Sequence, residues 1–169
     1  TKCGSWTAPA GVTALRLILV GKGEDGTAGT DGTWDEAGAD GVDGIGGLVW
    51  AGTVSINPQQ SFSVQIGDDA VFGQYSSANG SRFPFGYTDI ASGDSFARTG
   101  VQKPVPGSGD GGAKGLGGIK GNRHREPSYD SEGNPVGSHW EIDNYPGEGT
   151  AGQAGVSGCV VIYWDKEGA

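Results

Sequence analysis

The sequence predicts a mostly β and irregular fold with essentially no α-helix, in which packed polyglycine II helices lie beside a small β-sheet or sandwich. Three observations predict it. Glycine recurs at every third residue in three stretches, apolar residues alternate in a few short segments, and no segment has the period of an amphipathic helix. A period of three is that of an extended left-handed polyproline-II-type helix, which makes no internal hydrogen bonds. Neighbouring helices must therefore supply the partners of its backbone groups.

Composition favours an ordered glycine lattice over disorder. Glycine contributes 35 of the 169 residues, and apolar residues are only 34% of the chain. Such a composition often leaves a chain unfolded. Disordered low-complexity glycine keeps no phase, however, whereas glycine keeps a strict phase in this chain. The polyglycine II runs are predicted at about 22–32, 38–47, 107–121 and 147–158.

Short apolar segments predict the β-framework. In the first of them, Leu15, Leu17 and Leu19 share one face of a strand, which we expect to lie in the same sheet as the last strand. The second and third strands are predicted to form a hairpin across a turn at 57–60. The strands are predicted at about 12–20, 48–56, 61–67 and 159–164. The whole chain, 1–169, is expected to be a single glycine-rich domain.

Three irregular loops, at 33–37, 72–106 and 122–146, are predicted to connect these elements. If the strands form one base, loops 33–37 and 122–146 both lie at the opposite end of the lattice. Loop 72–106 is rich in aromatic residues, which indicates a satellite core. Its aromatic residues are Phe72, Tyr75, Phe83, Phe85, Tyr87 and Phe96, of which Phe72 is expected in the core.

Charge and hydropathy limit the partners. The net charge of −9 and the pI near 4.5 argue against nucleic acid, which needs a basic face. The chain has no apolar run long enough to span a membrane and no visible signal peptide. It also has no methionine, so we expect it to be part of a longer protein.

The chain contains two cysteines, Cys3 and Cys159, near its opposite ends. They could form a disulfide that closes almost the whole chain, or they could be free thiols in strands. Neither cysteine has the spacing of a metal site, and no metal or other cofactor is expected.

The order of these motifs resembles that of the glycine-rich domain at the C-terminal ends of phage tail fibres, adhesins and related bacterial surface proteins. The resemblance covers nearly the whole chain, and the opening and closing strands are its most specific parts. The matching segments are SWTAPAGVT at 5–13, GGL at 46–48, VSINP at 54–58, FSVQIG at 62–67, FG at 72–73 and GCVVIY at 158–163.

The resemblance implies a lattice of polyglycine II helices beside a small β-framework, with receptor recognition in loops at one end of the lattice. This chain departs from the family in a long polar insert at 122–146 and in acidic residues inside the glycine runs. Those acidic residues are Glu24, Asp25, Asp31, Asp40 and Asp43.

Loops 33–37 and 122–146 carry the candidate binding residues, because they combine aromatic rings with charged groups. The candidates are Trp34, Arg123, His124, Arg125, Tyr129, His139, Trp140 and Tyr145. Two alternatives remain open. Trp34 and Trp140 could be plugs that cover the end of the lattice, and the basic residues at 123–125 could be a solvated turn.

The function expected from the resemblance and these loops is that of a receptor-binding tip or terminal domain of a phage or phage-like tail fibre. It would act at the virion tail or extracellular surface and recognise a host cell-surface glycan or outer-membrane protein. The rest of a fibre or appendage is the other expected partner, with a homotrimer as one arrangement. The alternative is a purely structural cap or spacer of a virion or surface appendage, with no ligand of its own.

Other classes are less favoured. The segment 38–44 is faintly similar to a calcium-binding nonapeptide, but its period is three. The first glycine run is too short and too poor in proline for a collagen triple helix, and charged inserts argue against an antifreeze surface. An enzyme is not expected, because Ser128, His124 and Asp130 are close only in sequence and catalytic triads assemble in space.

Overall fold

The computed structural model describes residues 1–82 and 108–164. Strands account for 41% of these residues and helix for 2%, which confirms the predicted mostly β class. The chain divides into two compact units. Unit 1 contains Thr1–Asp25, Gly44–Gly112 and Ala154–Ala169, and unit 2 contains Gly26–Asp43 and Ala113–Gln153.

Ten strands and one short 3-10 helix, Ser77–Asn79, occur in the described residues. In chain order the strands are β1 (Lys2–Thr7), β2 (Ala14–Val20), β3 (Leu48–Ser55), β4 (Ser61–Ile66), β5 (Ala70–Phe72), β6 (Tyr75–Ser76), β7 (Ser81–Arg82), β8 (Asn122–Tyr129), β9 (Pro135–Asn144) and β10 (Cys159–Tyr163). Unit 1 holds two antiparallel sheets, with orders β1-β4-β5-β6 and β10-β2-β3-β7, and unit 2 holds the pair β8-β9.

The core of unit 1 lies between its two sheets. Leu15, Leu17 and Leu19 of β2 are fully buried and pack in one cluster with Phe72 of β5. Full burial of a side chain of this size contributes roughly 1.5–3 kcal/mol. The predicted common face of the three leucines and the predicted core position of Phe72 are therefore both confirmed. β2 also pairs with β10 in one sheet, as the sequence predicts.

The predicted hairpin between the second and third strands is wrong. β3 pairs with β2 and β7, whereas β4 pairs with β1 and β5. The turn at 57–60 therefore passes the chain from one sheet to the other. Strand β1 was not predicted, because Lys2–Thr7 has no clean apolar alternation and is largely exposed.

The two cysteines are both free thiols, so the disulfide considered between Cys3 and Cys159 is not formed. Cys3 is exposed on β1, in one sheet, and Cys159 is buried at the start of β10, in the other. The Cys159 Sγ instead donates a hydrogen bond to Ser108 Oγ at 3.4 Å. Burial raises the pKa of the Cys159 thiol, and the bond to Ser108 lowers it in part.

The glycine-rich segments of unit 1 bond to each other and not within themselves. Gly23 N donates to Val156 O at 3.0 Å, and Gly44 N donates to Gly112 O at 2.8 Å. A β-carbon added to Gly23 would lie 1.9 Å from the carbonyl oxygen of Asp110. Only glycine permits this approach, as packed polyglycine II helices require.

Unit 2 contains four such runs, which we name A (26–32), B (38–43), C (113–121) and D (147–153). Gly29 of A donates to Thr150 O of D at 3.0 Å, Gly41 of B donates to Gly115 O of C at 2.9 Å, and Gly115 donates to Thr27 O of A at 2.8 Å. Runs A and C each bond to the other three runs, and runs B and D each bond to A and C. The extended runs thus satisfy one another's backbone groups.

Segment 122–146, predicted as an irregular loop, is mostly the β8–β9 hairpin. Of the predicted aromatic loop 72–106, the described part contains β6, the 3-10 helix and β7, and Tyr75 packs against the core. The remaining aromatic residues of that loop, Phe83, Phe85, Tyr87 and Phe96, lie outside the described residues.

Candidate functional site

The β8–β9 hairpin of unit 2 is closed by a turn that its own sequence specifies. Asp130 Oδ1 accepts hydrogen bonds from Glu132 N at 2.9 Å and from Asn134 N at 2.8 Å. Gly133 has a φ of 82°, a left-handed conformation that glycine adopts without strain. These hydrogen bonds hold the pKa of Asp130 below its usual value, and the bonds with Asn134 have the largest effect. The turn therefore keeps an ionised carboxylate at its centre.

The register of the hairpin separates two chemically different faces. Arg125 is paired with Trp140, and Arg123 is paired with Ile142, so these side chains share one face. We name it the basic-aromatic face, and it carries Arg123, Arg125, Pro127, Ser138, Trp140 and Ile142. The opposite face, which we name the acid-histidine face, carries His124, Glu126, Ser128, His139, Glu141 and Asp143.

Aromatic rings from the bend at 33–37 and from the hairpin segment meet around one guanidinium group. The Arg123 Cζ lies 5.3 Å from the Trp34 ring centroid and 4.8 Å from the Trp140 ring centroid. The ring centroids of Trp34 and Tyr145 are 5.8 Å apart. Trp140 and Tyr145 remain 57% and 70% exposed. These four side chains, which we name the aromatic cluster, present partly open apolar rings around a cation.

Local hydrogen bonds fix the bend that carries Trp34. Thr33 Oγ1 accepts from Asp35 N at 3.2 Å and from Glu36 N at 3.0 Å. Gly121 N of run C donates to Thr33 O at 2.9 Å. A β-carbon at Gly121 would lie 2.8 Å from Trp34 Cε3, so the half-buried indole packs closely against run C. Trp34 therefore has a packing role as well as a partly exposed surface.

His124 is held between two carboxylates on the acid-histidine face. Its Nδ1 lies 2.9 Å from Asp143 Oδ1, and its Nε2 lies 2.8 Å from Glu126 Oε1. Both ring nitrogens can donate only when the imidazole is protonated. The hydrogen bonds to Asp143 and then to Glu126 accordingly raise the pKa of His124.

A second histidine on this face contacts a hydroxyl group. Ser128 Oγ is 3.0 Å from His139 Nδ1, and His139 Nε2 is 3.5 Å from Glu141 Oε1. In serine hydrolases the hydroxyl bonds Nε2 and the carboxylate bonds Nδ1, which is the reverse of this arrangement. His139 and Glu141 are also more than half exposed. We interpret the contact as a surface pair.

The structure thus distributes the predicted site residues over three places. Trp34, Arg123, Trp140 and Tyr145 form the aromatic cluster, and Arg125 lies beside Trp140 on the basic-aromatic face. His124 and His139 lie on the opposite face. Tyr129 is 60% exposed at the turn end of β8, beside a β-bulge.

Sequence reasoning missed the exposed apolar residues of β9. Val136 and Ile142 are 63% and 45% exposed, and Ile142 extends the basic-aromatic face beyond Trp140. The signal was present, because Val136, Ser138, Trp140 and Ile142 alternate with a period of two. Charged and polar neighbours made the segment look like a loop.

Four aspartates inside the glycine runs accept hydrogen bonds from backbone N–H groups, whereas Glu24 pairs with the Arg82 guanidinium. Asp31 Oδ1 accepts from Gly149 N at 2.9 Å, and Asp43 Oδ1 accepts from Lys114 N at 2.8 Å. In unit 1, Asp25 Oδ1 accepts from Gly155 N at 2.9 Å. Within residues 1–82 and 108–164, no group of three or more His, Cys, Asp or Glu side chains is placed to hold a metal ion.

A scan against protein-family models found no match, and searches of the curated proteins and of the solved structures found none either. In the part of the chain that the structure describes, no helix is long and apolar enough to cross a membrane. The residues of unit 2 are therefore the basis for the functional inference.

Proposed function

We propose that this chain is the receptor-binding tip or terminal domain of a phage or phage-like tail fibre. It recognises a glycan or an outer-membrane protein on the host cell surface, through the bend at 33–37 and the hairpin segment 122–146. One observation carries the proposal: Trp34, which is distant in sequence from the hairpin segment, meets its residues Arg123, Trp140 and Tyr145 in a partly exposed cluster.

The composition of this cluster suits recognition. Trp, Tyr and Arg are the residues most enriched where a few contacts supply most of the binding energy, and truncating such a contact commonly costs about 2 kcal/mol or more. Exposure of several neighbouring aromatic rings to water is unfavourable, and such groups of rings commonly mark an interaction surface. Tyr and Trp also pair a large apolar face with a polar group that orients a ligand.

The proposed setting is the virion tail or another extracellular surface, with the rest of a fibre or appendage as the second partner and a homotrimer as one assembly. The net charge of −9 argues against nucleic acid as a ligand. The resemblance to the glycine-rich domains of tail fibres and adhesins supports the same setting. No catalytic role is part of the proposal.

The test is attachment to intact bacteria. The protein is first screened against a panel of strains, and the double variant Trp34→Ala/Trp140→Ala is then compared with the parent on a strain that binds. We expect attachment to be lost while the thermal midpoint changes little. Trp164→Ala is the matched control, because Trp164 is a 43% exposed indole that packs on Trp6 in unit 1.

A purely structural cap or spacer is the second candidate function. The close packing of Trp34 against Gly121 favours it, because a plug over run C would show such a contact. In that case the double variant loses stability. A folded double variant that still attaches, or a protein that binds no strain, would instead contradict receptor binding through this cluster.

A further inference from the structure

The basic-aromatic face of the hairpin concentrates positive charge in an acidic protein. The chain has 11 Lys and Arg residues against 20 Asp and Glu. Arg123 and Arg125 nevertheless lie two residues apart on β8. Arg123 is paired with Ile142 of β9, and Arg125 is paired with Trp140. Trp140 is 57% exposed and Ile142 is 45% exposed. The face therefore offers solvent both guanidinium groups and apolar surface.

The acidic groups of the hairpin strands are kept away from these arginines. Glu126, Glu141 and Asp143 lie on the acid-histidine face, where they pair with His124 and His139. Arg123 contacts two indole rings, and within the described residues neither Arg123 nor Arg125 forms an ion pair with a carboxylate. The N–H groups of the Arg125 guanidinium therefore remain able to donate hydrogen bonds to an anionic ligand.

We propose that the basic-aromatic face binds a carboxylated sugar, such as a uronic acid residue of an acidic surface polysaccharide. This inference rests on the proposed function and names its ligand class. The sugar ring stacks on Trp140, and its carboxylate accepts a bidentate hydrogen bond from Arg125. Arg123 is a positioning residue, because it lies between Trp34 and Trp140 and fixes the ring on which the sugar stacks.

The spacing of the two anchors fits a charge attached directly to a ring. Arg125 and Trp140 are directly opposite in the antiparallel register. The β-carbons of such a pair are about 4.5–5.5 Å apart, so both side chains reach one small ligand. A uronic acid carries its carboxylate on the pyranose ring, whereas a neutral sugar leaves the arginine without a partner.

The hairpin edges are poor sites for a partner strand, which favours binding on the face. Pro127 lies within β8 and Pro135 begins β9, and neither has an N–H to donate. Register shifts between Asn122 and Arg123 and between Ser128 and Tyr129 interrupt the ladder at both ends. Proline, bulges and charge are the features by which exposed edges avoid pairing. A polysaccharide would bind on the basic-aromatic face and would not need to pair with a strand edge.

The experiment measures binding of the intact protein to polygalacturonate, to its methyl ester and to polyphosphate at about 0.15 M salt, where charges beyond about 8 Å are screened. We expect polygalacturonate alone to bind well. Arg125→Gln should lower its affinity about tenfold or more, because one charge-assisted bidentate contact is lost. Glu141→Gln is the matched control: it changes one charge on the opposite face and should alter affinity by less than about twofold.

The outcomes separate this inference from the proposed function. Equal binding of polygalacturonate and its methyl ester, or binding of polyphosphate as tight as that of polygalacturonate, would overturn the carboxylate assignment. If no polygalacturonate binds but the protein attaches to cells through Trp140, the partner is another surface molecule and only this inference fails. If Arg123→Lys preserves the thermal midpoint and affinity of the parent, the positioning role of Arg123 is wrong.

Discussion

Aspartates inside the glycine runs of unit 2 act as acceptors for a neighbouring run. Asp40 Oδ1 accepts from Gly117 N at 2.9 Å, and its Oδ2 accepts from Lys114 Nζ at 2.8 Å. The Lys114 side chain, and then the Gly117 backbone N–H, hold the pKa of Asp40 below its usual value. From sequence these acids were only a departure from the expected pattern, because nothing local reveals which backbone group a carboxylate will meet.

We expect Asp40 to stabilise unit 2 at neutral pH and to lose that role in acid. Its folded pKa is depressed, so the stabilisation is present above the unfolded pKa of about 3.9 and is lost as the pH falls through the folded value. The thermal midpoint of Asp40→Ala should therefore lie below that of the parent at pH 7, and the difference should shrink at low pH. A parallel series with Asp35→Ala, an acid in the exposed bend, is the control. An equal difference at both pH values would contradict this role.

His124 should show the opposite pH dependence. Its folded pKa is raised, by Asp143 first and by Glu126 second. The stabilisation is therefore fully present below the unfolded pKa of about 6.5 and is lost as the pH rises through the folded value. Titration of the His124 ring by NMR should give a midpoint above that of a model peptide, and Asp143→Asn should lower it. Glu132→Gln, in the hairpin turn, should leave it unchanged. An unshifted midpoint in the parent would contradict the bridged arrangement.

At the scale of elements, regular local patterns were predictable from sequence and pairings across the fold were not. The leucine alternation in β2 specified both the strand and its buried face, since burial and strand period agree there. The β8–β9 hairpin was missed, because almost all of its residues are exposed and no buried face marks it. The partner of β4 was assigned wrongly, because a tight turn does not reveal whether the chain stays in one sheet. The same limit explains the site: segments 33–37 and 122–146 were predicted to carry it, but the strands of the second segment and the contact of Arg123 with both indoles were not.

Glycine at the contacts between runs should be irreplaceable. A β-carbon at Gly41 would lie 2.1 Å from Thr27 O, whereas one at Gly4 meets nothing within 4 Å. Gly41→Ala should destabilise the protein by roughly 2–4 kcal/mol, from overpacking and a lost backbone hydrogen bond. Gly4→Ala, in β1, is the matched control and should have little effect. Chemical denaturation of both variants measures this, and equal stabilities would contradict the lattice.

At the scale of the whole molecule, the two thiols report on different states: Cys3 reacts in the native protein, and Cys159 reacts only when unit 1 opens. Cys3 is exposed and Cys159 is buried, with its pKa raised by burial. A maleimide should therefore label Cys3 rapidly in the native protein, and should label Cys159 only as fast as unit 1 opens. Mass spectrometry of the labelled parent, with Cys3→Ser as control, follows each site. Equal labelling rates, or a protein that cannot be labelled before reduction, would contradict the free and unequal thiols.

The lattice of unit 2 also governs when the chain can fold. Run A donates its glycine N–H groups to run D, and run C bonds to A, B and D. These segments are far apart in sequence, so their loop-closure entropy must be overcome before the hydrogen bonds form. A nascent chain leaving the ribosome cannot complete this network until run D, at 147–153, has been made. Unit 2 should therefore complete its fold only once run D has left the ribosome, and slowly for its size.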